Sequence, residues 1–362
     1  MNTFTWMIAI VLLLALLLGG NQRGNKKFII IAVLVMFCVM GLRDANTIGN
    51  DSRTSYKWAY NGMDDMEWSD LPGWTDFEEN PALPHFMKAT REFLGADYQT
   101  FLAIESAIIM IAFAHLISKY SVSPIQSICY YCGLLYYIFM FSAMKQALAM
   151  SILIFAFDAI MDKKPIRFVL LVFAAALFHF PALIFLPAYW IAQIKMERSF
   201  LIMLAALFVV TFIFRDRMIN LMMNAYGDED SAISLAGVTF MGNKVIIMAV
   251  IIIAALLLRP MSNKDYLYST LIKFVGIATV LQTFCYYNNI FERLADYYFQ
   301  FSVIFIPLVF EKNEQIKSRL DSGTESLIKN AAPILFCCFG IWRFANYIVN
   351  DGHFLPYKFF FQ

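Results

Sequence analysis

Charge is what this sequence has least of. Only 15% of its 362 residues are Asp, Glu, Lys or Arg, and the formal net charge is +1. Such near-neutrality removes the electrostatic footprint of a nucleic-acid-binding protein. Zinc-type Cys/His spacing, a GxxxxGK[ST] phosphate loop and a GxGxxG dinucleotide fingerprint are also absent. There are no low-complexity linkers and no obvious repeats, so one integral membrane domain is expected over 1–362. The opening MNTFTWMIAIVLLLALLLGG lacks the positive n-region of a cleaved signal and reads as a retained first span. The six cysteines lie in or at the ends of apolar runs, which predicts no disulfide framework. Cys129 and Cys132 have the spacing of a redox or metal pair, yet helix packing of small apolar residues is the simpler reading.

What is present in excess is apolar surface. Hydrophobic residues make up 60% of the chain and mean hydropathy is +0.63, more than a soluble domain can bury. The apolar runs do not alternate, which argues against a membrane β-barrel. The expected class is all-α: a polytopic integral membrane protein with about 12 transmembrane helices. Candidate spans fall at 4–20, 28–42, 101–118, 124–141, 146–161, 166–179, 181–194, 199–214, 244–258, 268–286, 296–310 and 329–348.

Alternate short loops differ in basic content. One set carries Arg23, Lys26, Lys27, Lys119, Lys163, Lys164, Arg167, Lys195, Arg198, Arg259, Lys264, Lys312, Lys317 and Arg319. The opposite short loops carry Lys145 and Arg293, with His179 at a turn. The positive-inside rule makes the first set cytoplasmic and places both termini outside. Two larger loops, 43–100 and 215–243, are then extracytoplasmic. Within them Met87, Thr90, Phe93 and Leu94, and again Met218, Leu221, Met222 and Tyr226, predict interfacial helices.

Several cationic or titratable residues fall at outer ends of spans: Arg43, Lys145, His179, Arg215, Arg217 and Arg293. Singly, each reads as well as a snorkelling anchor. As a group they run against the topological charge bias, and arginine forks match phosphate oxygens. His179 is the natural general base, with Asp51 as runner-up. Acidic pairs at Asp64-Asp65 and Asp228-Glu229-Asp230 have the hard oxygen ligands of a cation site, but read first as solvated turns. Glu292, Arg293, Asp296 and Tyr297 mark one span start, facing either a cavity or a neighbouring helix. Lys273 and Glu105 are the main charges inside apolar runs.

These residues resemble the EpsG family. Arg43, then Asn50-Asp51 and Tyr56, resembles its Arg, Gly-Thr-Asp, Tyr pattern. Lys145-Gln146-Ala147-Leu148-Ala149 is similar to its Arg-Gln-x-x-Ala segment, and Phe178-His179 followed by Ala182 to its Phe-His-x-x-Ala turn. Arg293 with Tyr297 matches its late Arg-x-x-x-Tyr. Departures are Asn50 for Thr, Lys145 for Arg and the Phe180-Pro181 pair after the histidine; lysine lacks arginine's bidentate fork.

The resemblance implies a Wzy-like polymerase of exopolysaccharide, capsule or O-antigen in the bacterial cytoplasmic membrane. Its substrate would be an undecaprenyl-pyrophosphate-linked oligosaccharide, and its partners a chain-length regulator and a flippase. Arg43 and Arg293 would meet pyrophosphate, with Arg215 and Arg217 secondary; Tyr56, Gln146, Lys145 and Tyr297 would position substrate. Trp58, Trp68 and Trp74 are equally suited to sugar stacking and interfacial anchoring. The scheme calls for no metal or cofactor. A polysaccharide ligase and a flippase or export component are the alternatives.

Overall fold

A computed structural model describes residues 2–19, 22–71, 80–226, 242–259, 265–286, 292–311, 320–351 and 354–362. The chain divides into two compact units: Met1–Leu183 with Ala332–Gln362 (unit 1), and Ile184–Ala331 (unit 2). Both are helical, and among the described residues the only β-type pairing is a bridge between Arg43 and Phe359. Among the described residues, five helices are long and apolar enough to cross a membrane: Tyr98–Tyr120, Met144–Met161, Arg198–Arg215, Tyr266–Phe284 and Ser322–Asn350. Shorter apolar helical stretches described beside them are Thr3–Leu18, Pro165–Phe178, Phe180–Gln193 and Lys244–Leu258.

Unit 1 is built from α1 (Thr3–Leu18), α2 (Gln22–Gly41), α6 (Tyr98–Tyr120), α9 (Met144–Met161) and α10 (Pro165–Phe178). Between them lie α3 (Asn50–Arg53), α4 (Ser55–Asn61), α5 (Ala82–Leu94), α7 (Pro124–Gly133) and α8 (Tyr136–Phe139). Local chemistry sets the boundaries. Asn2 and Asp97 cap α1 and α6 by accepting from the amides of Thr5 and Thr100 at 2.9 and 2.8 Å. Proline opens α7 and α10, where its missing amide costs no helical bond. The 23 residues of α6 extend roughly 34 Å at 1.5 Å per residue, enough for a bilayer core.

The helices of unit 1 alternate in direction. Arg43 after α2 packs against α6 near its start and against Phe141 just before α9. Lys119 and Tyr120, closing α6, meet Asp158 near the close of α9. The basic residues Lys119, Lys163, Lys164 and Arg167 therefore gather at the end opposite Arg43. Phe4 packs on Phe354 and Tyr357, so the first and last helices of this unit bring its two chain ends to the Arg43 end.

Three expected spans are broken. The run 124–141 splits into α7 and α8 at Leu135, whose φ of 68° is left-handed. Just before it, α7 approaches the final helix α17 (Ser322–Asp351) so closely that a Cβ on Gly133 would stand 2.5 Å from the Cα of Gly340. The run 181–194 is a 3-10 turn, Phe180–Phe185, followed by α11 (Ala188–Gln193), with Pro187 between them. The run 296–310 is two short helices, α15 (Glu292–Phe299) and α16 (Ser302–Val309).

Helices run through the described parts of both loop segments, as expected for 84–94 and for 218–226. Segment 43–100 contains α3, α4 and α5. The inward face of α5 is Leu83, Met87 and Thr90, whereas Phe93 and Leu94, expected on the same face, are exposed. Helix α12 (Arg198–Tyr226) runs on through Arg215 and Arg217. The rest of loop 215–243 up to 241, with Asp228-Glu229-Asp230, and Trp74 lie outside the described residues.

Unit 2 comprises α11, α12, α13 (Gly242–Leu258), α14 (Tyr266–Leu281), α15, α16 and the first turns of α17. Its buried charges are matched internally. Lys244 bonds Glu292 at 2.6 Å and Asp296 at 2.9 Å, so the polar start of α15 faces a neighbouring helix. Lys273 donates to the carbonyls of Ala192 and Ile194 at 2.8 and 2.7 Å, closing the C-terminal end of α11. Arg259 pairs with Asp265 and Glu311.

Candidate functional site

The segment after α2 is extended, and its backbone pairs with the chain terminus: Asp44 N–H donates to Lys358 at 2.9 Å and Phe360 N–H to Leu42 at 3.0 Å. Extended residues alternate sides. Leu42 and Asp44 face outward, and Arg43 turns inward. Its guanidinium is fully buried, with Nη1 on the Met40 carbonyl and Ser106 Oγ, and Nη2 3.4 Å from the Phe141 carbonyl. The Phe141 ring lies 4.9 Å beneath it, and Glu105 Oε2 is 4.0 Å from Nη2. This corrects the expectation that Arg43 lines an outer cavity. A buried guanidinium needs a counter-charge, and Glu105 supplies it.

The rest of the first motif closes on the same carbonyl. Ser52 Oγ donates to Phe141 O at 2.8 Å, and Tyr98 OH donates to the Ser52 carbonyl. Gly49 precedes α3 with φ at 88°, and a Cβ there would stand 2.5 Å from Phe141 O. Only glycine meets both demands. Asp51, in the short turn of α3, is half-buried. Phe141 leads into the first turn of α9, where Lys145 is half-buried and Gln146 buried. Two motif segments, the first loop from Arg43 to Ser52 and the segment opening α9, are thus fastened to one peptide group.

The third motif residue, His179, ends α10 at the same end of the unit. Its amide donates to Ala175 O at 3.0 Å, and the following Phe180 N–H donates to Asn80 Oδ1 at 3.1 Å. The neighbouring Phe178 packs against a core of Tyr56, Tyr60, Leu83, Met87, Phe101, Met144 and Leu148. Tyr56 is therefore a buried packing residue beneath the motif turns. His179 itself is half-buried.

Unit 2 holds the remaining candidates. Arg293 is exposed at the start of α15, while Tyr297, one turn on, is fully buried. Arg215 donates to Phe212 O at 2.9 Å and lies over the Phe212 ring; Arg217 is exposed. Outside the spans, Asp64 is not half of an acidic cation pair. Arg91 Nε donates to it at 2.7 Å and holds its carboxyl below the usual range. Trp68 donates to Glu92 at 2.9 Å, and Trp58 is exposed.

Sequence reasoning missed two partners. Glu105 was visible as an intramembrane charge, and such a charge demands a nearby opposite one, which Arg43 is. At the opposite end of unit 1, Asp158 is saturated: it bonds Tyr120 OH at 2.6 Å, His115 Nε2 at 2.7 Å and Lys119 Nζ at 3.0 Å.

Fold and site together define a helical membrane protein whose motif residues in unit 1 assemble at one polar end. A model of the EpsG family matches residues 26–359, nearly the whole chain, and the protein belongs to that family. Its membership, with the apolar helices, makes this a membrane protein of the polysaccharide-biosynthesis type with polymerase-like function. No curated protein and no solved structure matches the chain.

Proposed function

We propose that this protein is a Wzy-like polymerase of surface polysaccharide, working on the outer face of the bacterial cytoplasmic membrane. It transfers a growing glycan from an undecaprenyl-pyrophosphate carrier to a hydroxyl of a new lipid-linked repeat unit. The observation that carries the reading is the attachment of Arg43, the Asp51-Ser52 turn and the start of α9 to the Phe141 carbonyl, at the end that also holds His179. Family membership supports the reaction class.

In this scheme the acceptor oxygen attacks the anomeric carbon, and the bond from that carbon to the phosphate oxygen breaks. The lipid pyrophosphate leaves with the electron pair, and the acceptor proton passes to His179, with Asp51 as the runner-up base. Cations stabilise the departing charge. Lys145 takes that task in unit 1, as a point charge rather than a fork. Arg43, buried against Glu105, is a positioning residue that sets the Phe141 carbonyl and the turn beside it. Arg293, with Arg215 and Arg217, enters as phosphate-facing through motif and position in unit 2. Gln146, Tyr56 and Tyr297, all buried, pack behind these groups. A base opposite the leaving group would invert the anomeric centre. A flippase and a chain-length regulator are the proposed partners, and both termini lie outside.

Purified protein incubated in detergent with lipid-linked repeat units tests the reading. A ladder of lengthening lipid-linked chains is expected. Unchanged single units would point to a flippase, which needs two compartments to act. One transfer onto an acceptor that carries no polyprenyl would point to a ligase.

A further inference from the structure

Beside the motif turns, unit 1 holds an open cavity of about 490 Å3. Its polar walls come from Asp44, Asn46 and Lys57 on one side and Asp97, Gln99 and Thr100 at the start of α6 on the other. Leu42 and Asp44 reach it because Arg43, between them, points the other way. Among the residues lining it there is no arginine, and two carboxylates stand against one ammonium.

The walls are organised. Asp44 Oδ1 accepts from Asn46 N and Nδ2 at 3.0 and 2.9 Å, and Lys57 bonds Asn46 Oδ1. Gln99 Oε1 accepts from the Ala45 amide at 3.1 Å, and its Nε2 donates to Gly41 O at 3.4 Å. Thr100 bonds Asp97 and holds its carboxyl below the usual range, so it is ionised at neutral pH. Phe360, brought over by the terminal backbone pairing, adds an aromatic side chain that is 52% exposed.

A pyrophosphate would meet net negative charge here. A sugar ring would not: its hydroxyls donate to carboxylates and accept from amide and ammonium, and its C–H face suits an aromatic ring. A concave site with a few fixed polar groups and an aromatic wall is the form small-ligand pockets take. We propose that this cavity is a glycan subsite, holding a neutral or amino sugar of the incoming repeat unit while the pyrophosphate lies elsewhere. The inference rests on the polymerase reading and names the substrate part that this face takes. It also gives the terminal segment a role, because Phe360 completes the cavity wall.

The test uses full-length protein in nanodiscs. The probe is the lipid-free repeat oligosaccharide released from the host's own polysaccharide, followed by saturation-transfer NMR, with inorganic pyrophosphate as competitor. The oligosaccharide should bind and pyrophosphate should not displace it. Phe360→Ala, at an exposed position, should weaken binding about three- to tenfold through loss of aromatic contact. Thr100→Trp, also exposed, should fill the cavity and weaken it more than about tenfold. Unchanged binding in both variants, or displacement by pyrophosphate, overturns the assignment. The same samples are given lipid-linked repeat units. Chain growth with variant-insensitive oligosaccharide binding sinks the subsite and leaves the polymerase. Variant-sensitive binding without chain growth keeps a glycan site and sinks the polymerase.

Discussion

Two buried carboxylates sit at opposite ends of unit 1, and they are treated differently. Asp158 receives three donors within 3.0 Å, from Tyr120, His115 and Lys119. Glu105 has Arg43 at 4.0 Å, and among the described residues neither of its oxygens has a hydrogen-bond donor. The guanidinium spends its donors on the carbonyls of Met40 and Phe141 and on Ser106 instead. A saturated carboxylate is a clasp that holds α6 to α9. An unsaturated one makes its end of the unit depend on a single cation, which is also the residue that fixes the Phe141 carbonyl. Native proteins rarely leave buried polar atoms unpaired away from functional regions.

The comparison breaks most visibly at Arg43. Arg43→Ala strips Glu105 of its counter-charge and should cost about 3–5 kcal/mol, read as a loss of detergent-stable monodisperse protein. Polymer should be lost as well. Adding Glu105→Ala should restore most of the stability, since removing both partners of a buried pair is often near neutral. Polymer should stay absent because the anchor on Phe141 is still missing. Recovery of long chains in the double variant would show that Arg43 acts only by balancing charge.

Gly49→Ala addresses the same carbonyl from the other side. The left-handed backbone and the 2.5 Å approach to Phe141 O predict a loss of about 1–3 kcal/mol in thermal unfolding. At the opposite end, Asp158→Asn weakens charge-assisted bonds and should cost a similar or smaller amount, about 1–3 kcal/mol. The distinguishing readout is glycan length, expected to be normal in the protein that remains.

Much of this was legible in the sequence, and the part that was not has physical reasons. Apolar length found α1, α2, α6, α9 and α10, because a helix that crosses lipid needs a continuous run. Composition could not show the break at Leu135, since leucine carries no signal for a left-handed residue. The motif order brought Arg43, Asp51, Lys145 and His179 to one end of the unit, as alternating spans require. The inward turn of Arg43 was hidden because it depends on pairing with residues 358–360, far away in sequence. Likewise Met87 and Thr90 were on the buried face of α5, but Phe93 and Leu94 were not, since the helix packs on protein there through Leu83.

The smallest expected effect lies outside the spans. Arg91 holds the Asp64 carboxyl low, so the pair adds stability above the pKa that Asp64 has in the unfolded chain. That contribution is lost as pH falls through the lower folded value. The thermal-stability gap between wild type and Asp64→Asn should therefore close as pH drops from about 7 to below about 4. A gap that widens on acidification would mean that Arg91 does not hold the Asp64 carboxyl low. The pair is exposed, so the gap is small throughout.

The central claim is that the Arg43 end of unit 1 is catalytic and the Asp158 end structural. Purified His179→Ala and Asp158→Asn, matched for monodisperse protein and given lipid-linked repeat units, test it side by side. The account predicts no ladder from His179→Ala, as removal of a general base costs about 10²–10⁴ in rate, and a full-length ladder from Asp158→Asn. A full ladder from His179→Ala, or its loss only in Asp158→Asn, would contradict it.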